Sequence, residues 1–244
     1  MIHIQRNRYR YLLWNSNDTA TTEFVEKTDD AWAKVSLEFP ITMFGKTSQV
    51  AWISVNGIFS IDEPDLNVRS VPERTLPVDP SSCNTTNFDS STQGGCIPNT
   101  AILPLWRDMS MKAGIPIKDL NVEIAYTWHK GYETPHHHIA WMFCDKEVSW
   151  DTNTSVYPSM DQRCGKAFRF TLLTFGPDKP GVYLIQHQVF NYSFADVQGV
   201  IGAQSYSEGK SMMVPVGDIY KAGVEGLAGV NFDTDTLEVT PYYG

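Results

Sequence analysis

The residues with the clearest potential for metal chemistry form the run Pro135-His136-His137-His138. Imidazole is the commonest side-chain ligand of transition metals. In a strand, however, His136 and His138 share one face and His137 lies on the other, so at most two imidazoles converge. We therefore interpret the run as a polar strand entrance with exposed imidazoles and predict no metal. A metal would need a third ligand, for which the available residues are His129, Glu133 and His187.

A second polar group ends the segment Leu103-Pro104-Leu105-Trp106-Arg107-Asp108. Asp108 could serve as an acid or hydrogen-bonding group at the mouth of a pocket, with Arg107 beside it. The alternative is a buried carboxylate that accepts hydrogen bonds from backbone N–H groups. The candidate catalytic residues are Asp108, Arg107, His136 and His187.

Aromatic and methionine side chains are concentrated in and beside the middle of the chain. Most of them must fill the interior, because a β-sandwich core needs large side chains. Those at strand ends and in loops are instead candidates for a pocket that takes a flat, apolar ligand, with a few polar groups to orient it. The candidate binding residues are Trp106, Met109, Trp128, Trp150 and Tyr157.

Several kinds of chemistry have no motif in this sequence. It contains no Gly-x-Ser-x-Gly elbow, no Gly-x-Gly-x-x-Gly segment, no phosphate-binding loop and no Asp-x-Asp-x-Asp spacing for calcium. We therefore predict no cofactor. The net charge of −9 argues against nucleic-acid binding. No run of about 18 apolar residues is present, so we predict no membrane span.

The four cysteines indicate an oxidising compartment. Cys83 and Cys96 bracket one polar loop, and Cys144 and Cys164 bracket another. Disulfides between nearest neighbours would close both loops, although four cysteines allow three connectivities. Zinc is the alternative, but no pair has the spacing of a zinc knuckle. Four glycosylation sequons also favour a protein that is secreted or lies in the secretory lumen, at Asn17, Asn84, Asn153 and Asn191.

The hydrophobic pattern predicts an all-β fold, because apolar residues recur with a period of two or in short runs between Pro and Gly. We predict a single domain over residues 1–244, an antiparallel two-sheet β-sandwich with long disulfide-tied loops and at most one short helix, at 216–226. Residues 1–30 form an N-terminal arm or edge strand, and the long loop 62–100 is a candidate lid. The predicted strands are 35–39, 50–55, 58–61, 101–105, 122–127, 139–143, 168–175, 182–189 and 200–204.

Three motifs occur in order along the chain: Phe39-Pro40-Ile41-Thr42-Met43-Phe44-Gly45, then Ser54-Val55-Asn56-Gly57-Ile58-Phe59, then the segment 101–108. They resemble the nidogen-type extracellular domain, whose pattern is F-P-F-x-F-G, V-x-x-N-G-x-x-F and I-A-P-F-W-x-D. Segments 167–173 and 182–185 are similar to that family's later strand pair. The resemblance implies a β-sandwich and an extracellular binding or adhesion module.

Three functions are compatible with these features. The first is a cofactor-independent enzyme of the pericyclase kind, acting on hydrophobic natural-product intermediates by hetero-Diels–Alder-type cycloaddition, since a shaped apolar cavity and one or two donors suffice. In its single-domain, glycosylated organisation the chain is similar to the fungal hetero-Diels–Alderases of tropolone-sesquiterpenoid biosynthesis. The second is the nidogen-like adhesion module, and the third is a carbohydrate binder with an exposed aromatic row. The expected partner is a hydrophobic small molecule, and exposed β-edges leave a homodimer open.

Overall fold

A computed structural model of the protein describes residues 10–11, 32–64, 75–82, 97–107, 121–129, 136–144, 167–190, 199–216 and 227–242, some of them by their backbone alone. These ranges contain thirteen strands and two short 3-10 turns, at Pro80–Ser82 and Tyr206–Glu208. The strands are β1 (Arg10–Tyr11), β2 (Trp32–Met43), β3 (Lys46–Ser54), β4 (Phe59–Ser60), β5 (Thr100–Trp106), β6 (Asn121–His129), β7 (His136–Cys144), β8 (Ala167–Phe175), β9 (Val182–Phe190), β10 (Val200–Ser205), β11 (Lys210–Val214), β12 (Leu227–Asp233) and β13 (Glu238–Tyr242).

The strands form two antiparallel sheets, which confirms the predicted all-β two-sheet sandwich. Sheet A has seven strands in the order β1-β6-β7-β8-β9-β12-β13, and sheet B has six in the order β11-β10-β5-β4-β3-β2. β1, in the segment predicted as an arm or edge strand, pairs with β6 at one edge of sheet A. No part of the chain that the structure describes forms a helix able to cross a membrane.

All nine predicted strands are confirmed, and three further strands, β11, β12 and β13, were not predicted. β11 and β13 lie at sheet edges, where half of the backbone pairing is absent and the apolar alternation is weak. The predicted helix at 216–226 lies outside the described residues except for Val216, which packs against the core between the sheets.

The core between the sheets is built from alternate residues of each strand. On β7 the inward residues include Ile139 and Trp141, and on β3 they include Ala51 and Ile53. Trp141 stacks on Phe170 of β8 with ring centroids 4.9 Å apart. Both aromatic side chains are fully buried, so this stacked pair fills the middle of the sandwich.

At one end of the sandwich, called here the hairpin end, polar contacts tie the two sheets together. The backbone N–H of Phe44, in the β2–β3 turn, donates to Thr234 Oγ1 at 3.0 Å. The Thr234 hydroxyl in turn donates to the backbone oxygen of Gly181 at 3.1 Å. Because Thr234 is fully buried, this hydroxyl satisfies backbone groups that solvent cannot reach.

Candidate functional site

The outer face of sheet B carries a second apolar cluster, separate from the core between the sheets. On β3, Trp52 lies between two inward residues and therefore faces outward. Leu76 and Val200 pack against the cluster. We call the cluster the outer layer, and its buried members are Trp32, Trp52, Ile58, Val78, Ile97, Ala101, Leu103 and Trp106.

Trp106 belongs to the outer layer because β5 contains a bulge. Val200 and Gly202 of β10 pair with Trp106 and Leu103, so three steps along β5 oppose two steps along β10. A bulge accommodates one extra residue in one strand. It also tolerates a proline, which has no N–H for the hydrogen bonds between strands, and Pro104 lies in this bulge. Leu103 and Trp106 consequently both face the outer layer although they are three positions apart.

The Trp106 indole is fully buried, and its Nε1 has no hydrogen-bond partner in the described part of the chain. A buried donor without an acceptor costs about 1–3 kcal/mol relative to a satisfied one. Such groups in folded proteins call for an explanation, and a bound ligand is one. The outer layer therefore holds one indole N–H that is available to an acceptor.

Residues 75–82 cover the outer layer, and we call this segment the strap. Val78 of the strap is a buried member of the layer. Its backbone N–H donates to Gln204 Oε1 at 2.7 Å, and its backbone oxygen accepts from Gln204 Nε2 at 3.1 Å. The same Nε2 donates to the oxygen of Pro98 at 3.0 Å. A single buried amide side chain on β10 thus holds the covering segment.

Arg107 lies beside the β3–β4 turn. Its backbone N–H donates to the oxygen of Asn56 at 3.2 Å, and the Asn56 N–H donates to Ser54 Oγ at 3.0 Å. Gly57 follows with φ of +71°, and a Cβ there would lie 2.1 Å from the oxygen of Leu105. The Asn-Gly turn is therefore pressed against the end of β5, where only glycine fits.

His187 lies in the core between the sheets, on β9. Its Nε2 is 3.0 Å from the oxygen of Pro104, and because a carbonyl only accepts, Nε2 carries the hydrogen. Desolvation by burial lowers the pKa of His187 to about 4, against a smaller opposing effect of this hydrogen bond. The imidazole is thus neutral near pH 7 and ties β9 to the β5 bulge.

The histidine run divides between two faces of β7. His137 is buried, its Nε2 lies 3.1 Å from the oxygen of Phe39, and its ring stacks on the Phe39 ring at 3.9 Å. His136 and His138 are half-buried on the opposite face. His187 faces the core, so it cannot join His136 and His138 as a third metal ligand. Among the described residues, no three potential ligands are grouped for a metal.

The candidate catalytic residues that the structure describes do not form one cluster. Trp106 ends β5, Arg107 follows it, and His187 contacts the same strand from the inner side. His136 is at the level of Phe175, whereas His187 is at the level of Phe170. Five residues of strand separate these levels, which is about 17 Å.

Other predicted residues lie outside what the structure describes. Trp128 and Cys144 have a described backbone only, as the register partners of His137 and Asn121. The roles of these residues, the disulfides and the glycosylation sites stay predictions. The residues beyond the described ranges are Asp108, Met109, Trp150, Tyr157, Cys83, Cys96, Cys164, Asn17, Asn84, Asn153 and Asn191.

Three residues of the outer layer region were missed from the sequence: Trp32, Trp52 and Gln204. The alternation Ala51-Trp52-Ile53 carried a signal, because a tryptophan on the face opposite to two core residues needs a second apolar partner. Gln204 carried none, since a glutamine in a strand reads as solvent-facing.

A scan against protein-family models and searches of curated proteins and of solved structures each gave no match to this chain. The nidogen-type resemblance therefore stays an expectation from the sequence motifs.

Proposed function

We propose that this protein binds a flat, hydrophobic small molecule against the outer layer and promotes a ring-forming pericyclic reaction on it without a cofactor. The observation that carries the proposal is the fully buried Trp106 indole N–H, which has no acceptor among the described residues. Three tryptophans, Trp32, Trp52 and Trp106, supply the aromatic surface around it. The sequons and the even number of cysteines place this activity, in our proposal, in the secretory route.

The composition of the outer layer defines the class of ligand. Its members are all apolar, so the ligand is apolar and gains affinity from burial at about 25 cal/mol per Å². The unpaired indole N–H favours a ligand with one acceptor, such as a carbonyl or ether oxygen. A ligand that carries charge would lose its hydration without a partner and is disfavoured.

The reaction class follows from what such a surface can supply. In a hetero-Diels–Alder cycloaddition, a conjugated four-atom π system containing an oxygen adds to an alkene. Three π bonds are consumed while two σ bonds and one new π bond form, and no atom leaves, so no proton or electron acceptor is required. An apolar surface holds both partners in register, and a hydrogen bond from Trp106 to the oxygen polarises the conjugated partner. The adjacent Arg107 marks the end of β5 at which polar groups of the ligand would emerge.

The test uses 9-fluorenone and fluorene, two flat tricyclic probes that differ by one carbonyl. Only molecules that bind the native state raise the thermal unfolding midpoint. We expect fluorenone to bind about 5-fold more tightly than fluorene, the value of one hydrogen bond of about 1 kcal/mol. Trp106→Phe should remove this preference for fluorenone. Trp141→Phe, which alters an indole in the core between the sheets, should retain it.

Binding of neither probe to the wild-type protein contradicts the proposal and favours the protein-binding module that the nidogen-type resemblance implies. If fluorenone binds as expected, turnover is tested with an oxygen-containing diene and an alkene, by mass detection of the one-to-one adduct. An adduct rate that Trp106→Phe leaves unchanged contradicts the catalytic part of the proposal.

A further inference from the structure

The strap packs into a depression on the outer face of sheet B at Gly202, although it is a strand of neither sheet. Gly202 of β10 faces it, and a Cβ at this position would lie 2.6 Å from Leu76 Cδ1 and 2.3 Å from the oxygen of Met212. The absence of a side chain at Gly202 lets Leu76 approach the backbone of β10 closely. The strap is therefore packed directly onto the sheet, and Leu76 and Val78 contact the other residues of the outer layer.

The hydrogen bonds of the strap are concentrated on one side chain. Gln204 is fully buried and makes three bonds, two with Val78 and one with Pro98. The Gln204 side chain has one oxygen and two N–H groups, and all three have hydrogen-bond partners only while the strap is seated. Lifting the strap removes both bonds with Val78 together and leaves Gln204 only the bond with Pro98, so the seated and lifted positions are two distinct states.

A weaker contact holds the strap at the protein surface. The exposed Tyr206 hydroxyl hydrogen-bonds the side chain of Asp79, and Asp79 also accepts from the N–H and hydroxyl of Ser81 at 2.8 Å and 2.7 Å. Exposed hydrogen bonds of this kind exchange with water at little cost. The strength of the attachment therefore lies at Gln204.

We infer that residues 75–82 are a strap that occupies the place of the ligand on the outer layer, and that Gln204 is the latch that keeps it seated. A flat apolar ligand replaces Leu76 and Val78 against the tryptophans and supplies the acceptor for Trp106. The ligand part of this inference rests on the proposed function. The existence of a separate lifted state does not, and it is measurable without any ligand.

The closing experiment is amide hydrogen exchange of the intact protein followed by mass spectrometry. In the wild type, we expect the Val78 amide to exchange at least about 10-fold faster than the paired amides of β5 and β10, through opening of the strap alone. Gln204→Met keeps the length of the side chain and removes its hydrogen bonds. It should accelerate amide exchange of residues 75–82 by a further factor of about 100. The strands should keep the same ranking of exchange rates as in the wild type.

Thr234→Val is the matched control, because it removes a buried hydrogen-bonding hydroxyl at the hairpin end. It should not accelerate exchange of the strap selectively. The inference is wrong if the strap of the wild type exchanges only with β5 and β10, since the strap then opens only by unfolding. This outcome remains decisive should Gln204→Met fail to fold.

Binding of 9-fluorenone separates this inference from the proposed function. Tighter binding by Gln204→Met than by the wild type, by about 5-fold or more, supports the latch, since a more populated lifted state raises the apparent affinity. Selective opening of the strap with no fluorenone binding by either protein overturns the proposed function and the ligand part of the inference, while the latch stands. Binding of fluorenone with equal affinity by both proteins overturns the inference that the strap occupies the place of the ligand.

Discussion

The indole Nε1 of Trp141 donates to the backbone oxygen of Ser54 at 2.9 Å, joining the middle of sheet A to the end of a strand in sheet B. It is one of a set of contacts in which a side chain of sheet A meets a backbone oxygen of sheet B. Each of these side chains lies on the inner face of β7 or β9. The other members are His137 with Phe39, Tyr183 with Thr42, and His187 with Pro104.

Replacing Trp141 tests how much this set contributes to stability. Trp141→Phe removes the N–H donor, leaves the oxygen of Ser54 with the longer bond from the Gly57 N–H at 3.3 Å, and creates a small cavity. We expect a loss of about 2–4 kcal/mol in the free energy of unfolding, measured by urea denaturation. Trp52→Phe, in the outer layer, is the comparison. A loss for Trp141→Phe no larger than for Trp52→Phe would show that the hydrogen bond between the sheets adds little.

Two glycines with similar backbone angles should respond differently to alanine. Gly57 and Gly45 have φ of +71° and +77°, but only Gly57 has a close neighbour at its Cβ position, the oxygen of Leu105 at 2.1 Å. Gly45→Ala should cost about 1–2 kcal/mol, the price of a left-handed conformation. Gly57→Ala should cost at least about 3 kcal/mol, because the turn must also move away from β5. Chemical denaturation of both variants measures the difference, and equal losses would contradict this packing.

Protonation of two buried histidines should make the protein less stable in mild acid. Burial lowers the pKa of both His137 and His187 to about 4, below the ordinary value of 6.5. The unfolded chain therefore binds more protons than the native chain between these values. Stability should fall as the pH falls from about 6.5 to about 4, by up to about 1.4 kcal/mol per pH unit for each histidine.

The pH dependence is measured as the urea midpoint across this range, in the wild type and in the His137→Gln and His187→Gln double variant. Glutamine retains an N–H donor for the backbone oxygens and does not titrate. We expect a much flatter profile for the double variant. An unchanged slope would assign the pH dependence to other groups. Asp62 and Asp79 have pKa values below the ordinary 3.8, so their stabilising effect is lost mainly below this value and affects only the acid end of the window.

Strand positions were predictable because burial on one face imposes a period of two on the sequence. The runs at 168–175 and 182–189 show this alternation and became β8 and β9. β2 was predicted too short, at 35–39, because its register shifts between Ser36 and Ile41, where Phe39 and Pro40 interrupt the alternation. β11 and β13 were missed as short edge strands.

The candidate site was predictable only in part. Trp106 and Arg107 were recognised at the end of a strand, and Trp106 is central to the outer layer. His187 was predicted as a polar residue of the site, and the structure places it in the core, where it is buried and hydrogen-bonded to a backbone oxygen. Alternation within β9 fixes its face but does not reveal whether that face meets solvent, a ligand or the second sheet.

The sequence by itself determined that this chain forms strands, where most of them lie and, in strands without a bulge, which residues share a face. These properties are local, because they follow from side-chain spacing along an extended backbone and from the turn residues between strands. Only the tertiary structure decided that the bulge at Pro104 turns Trp106 onto the outer face and that Gln204 meets Val78, 126 residues away. Such contacts depend on which strands become neighbours and in which register, and no local pattern encodes a partner so distant along the chain.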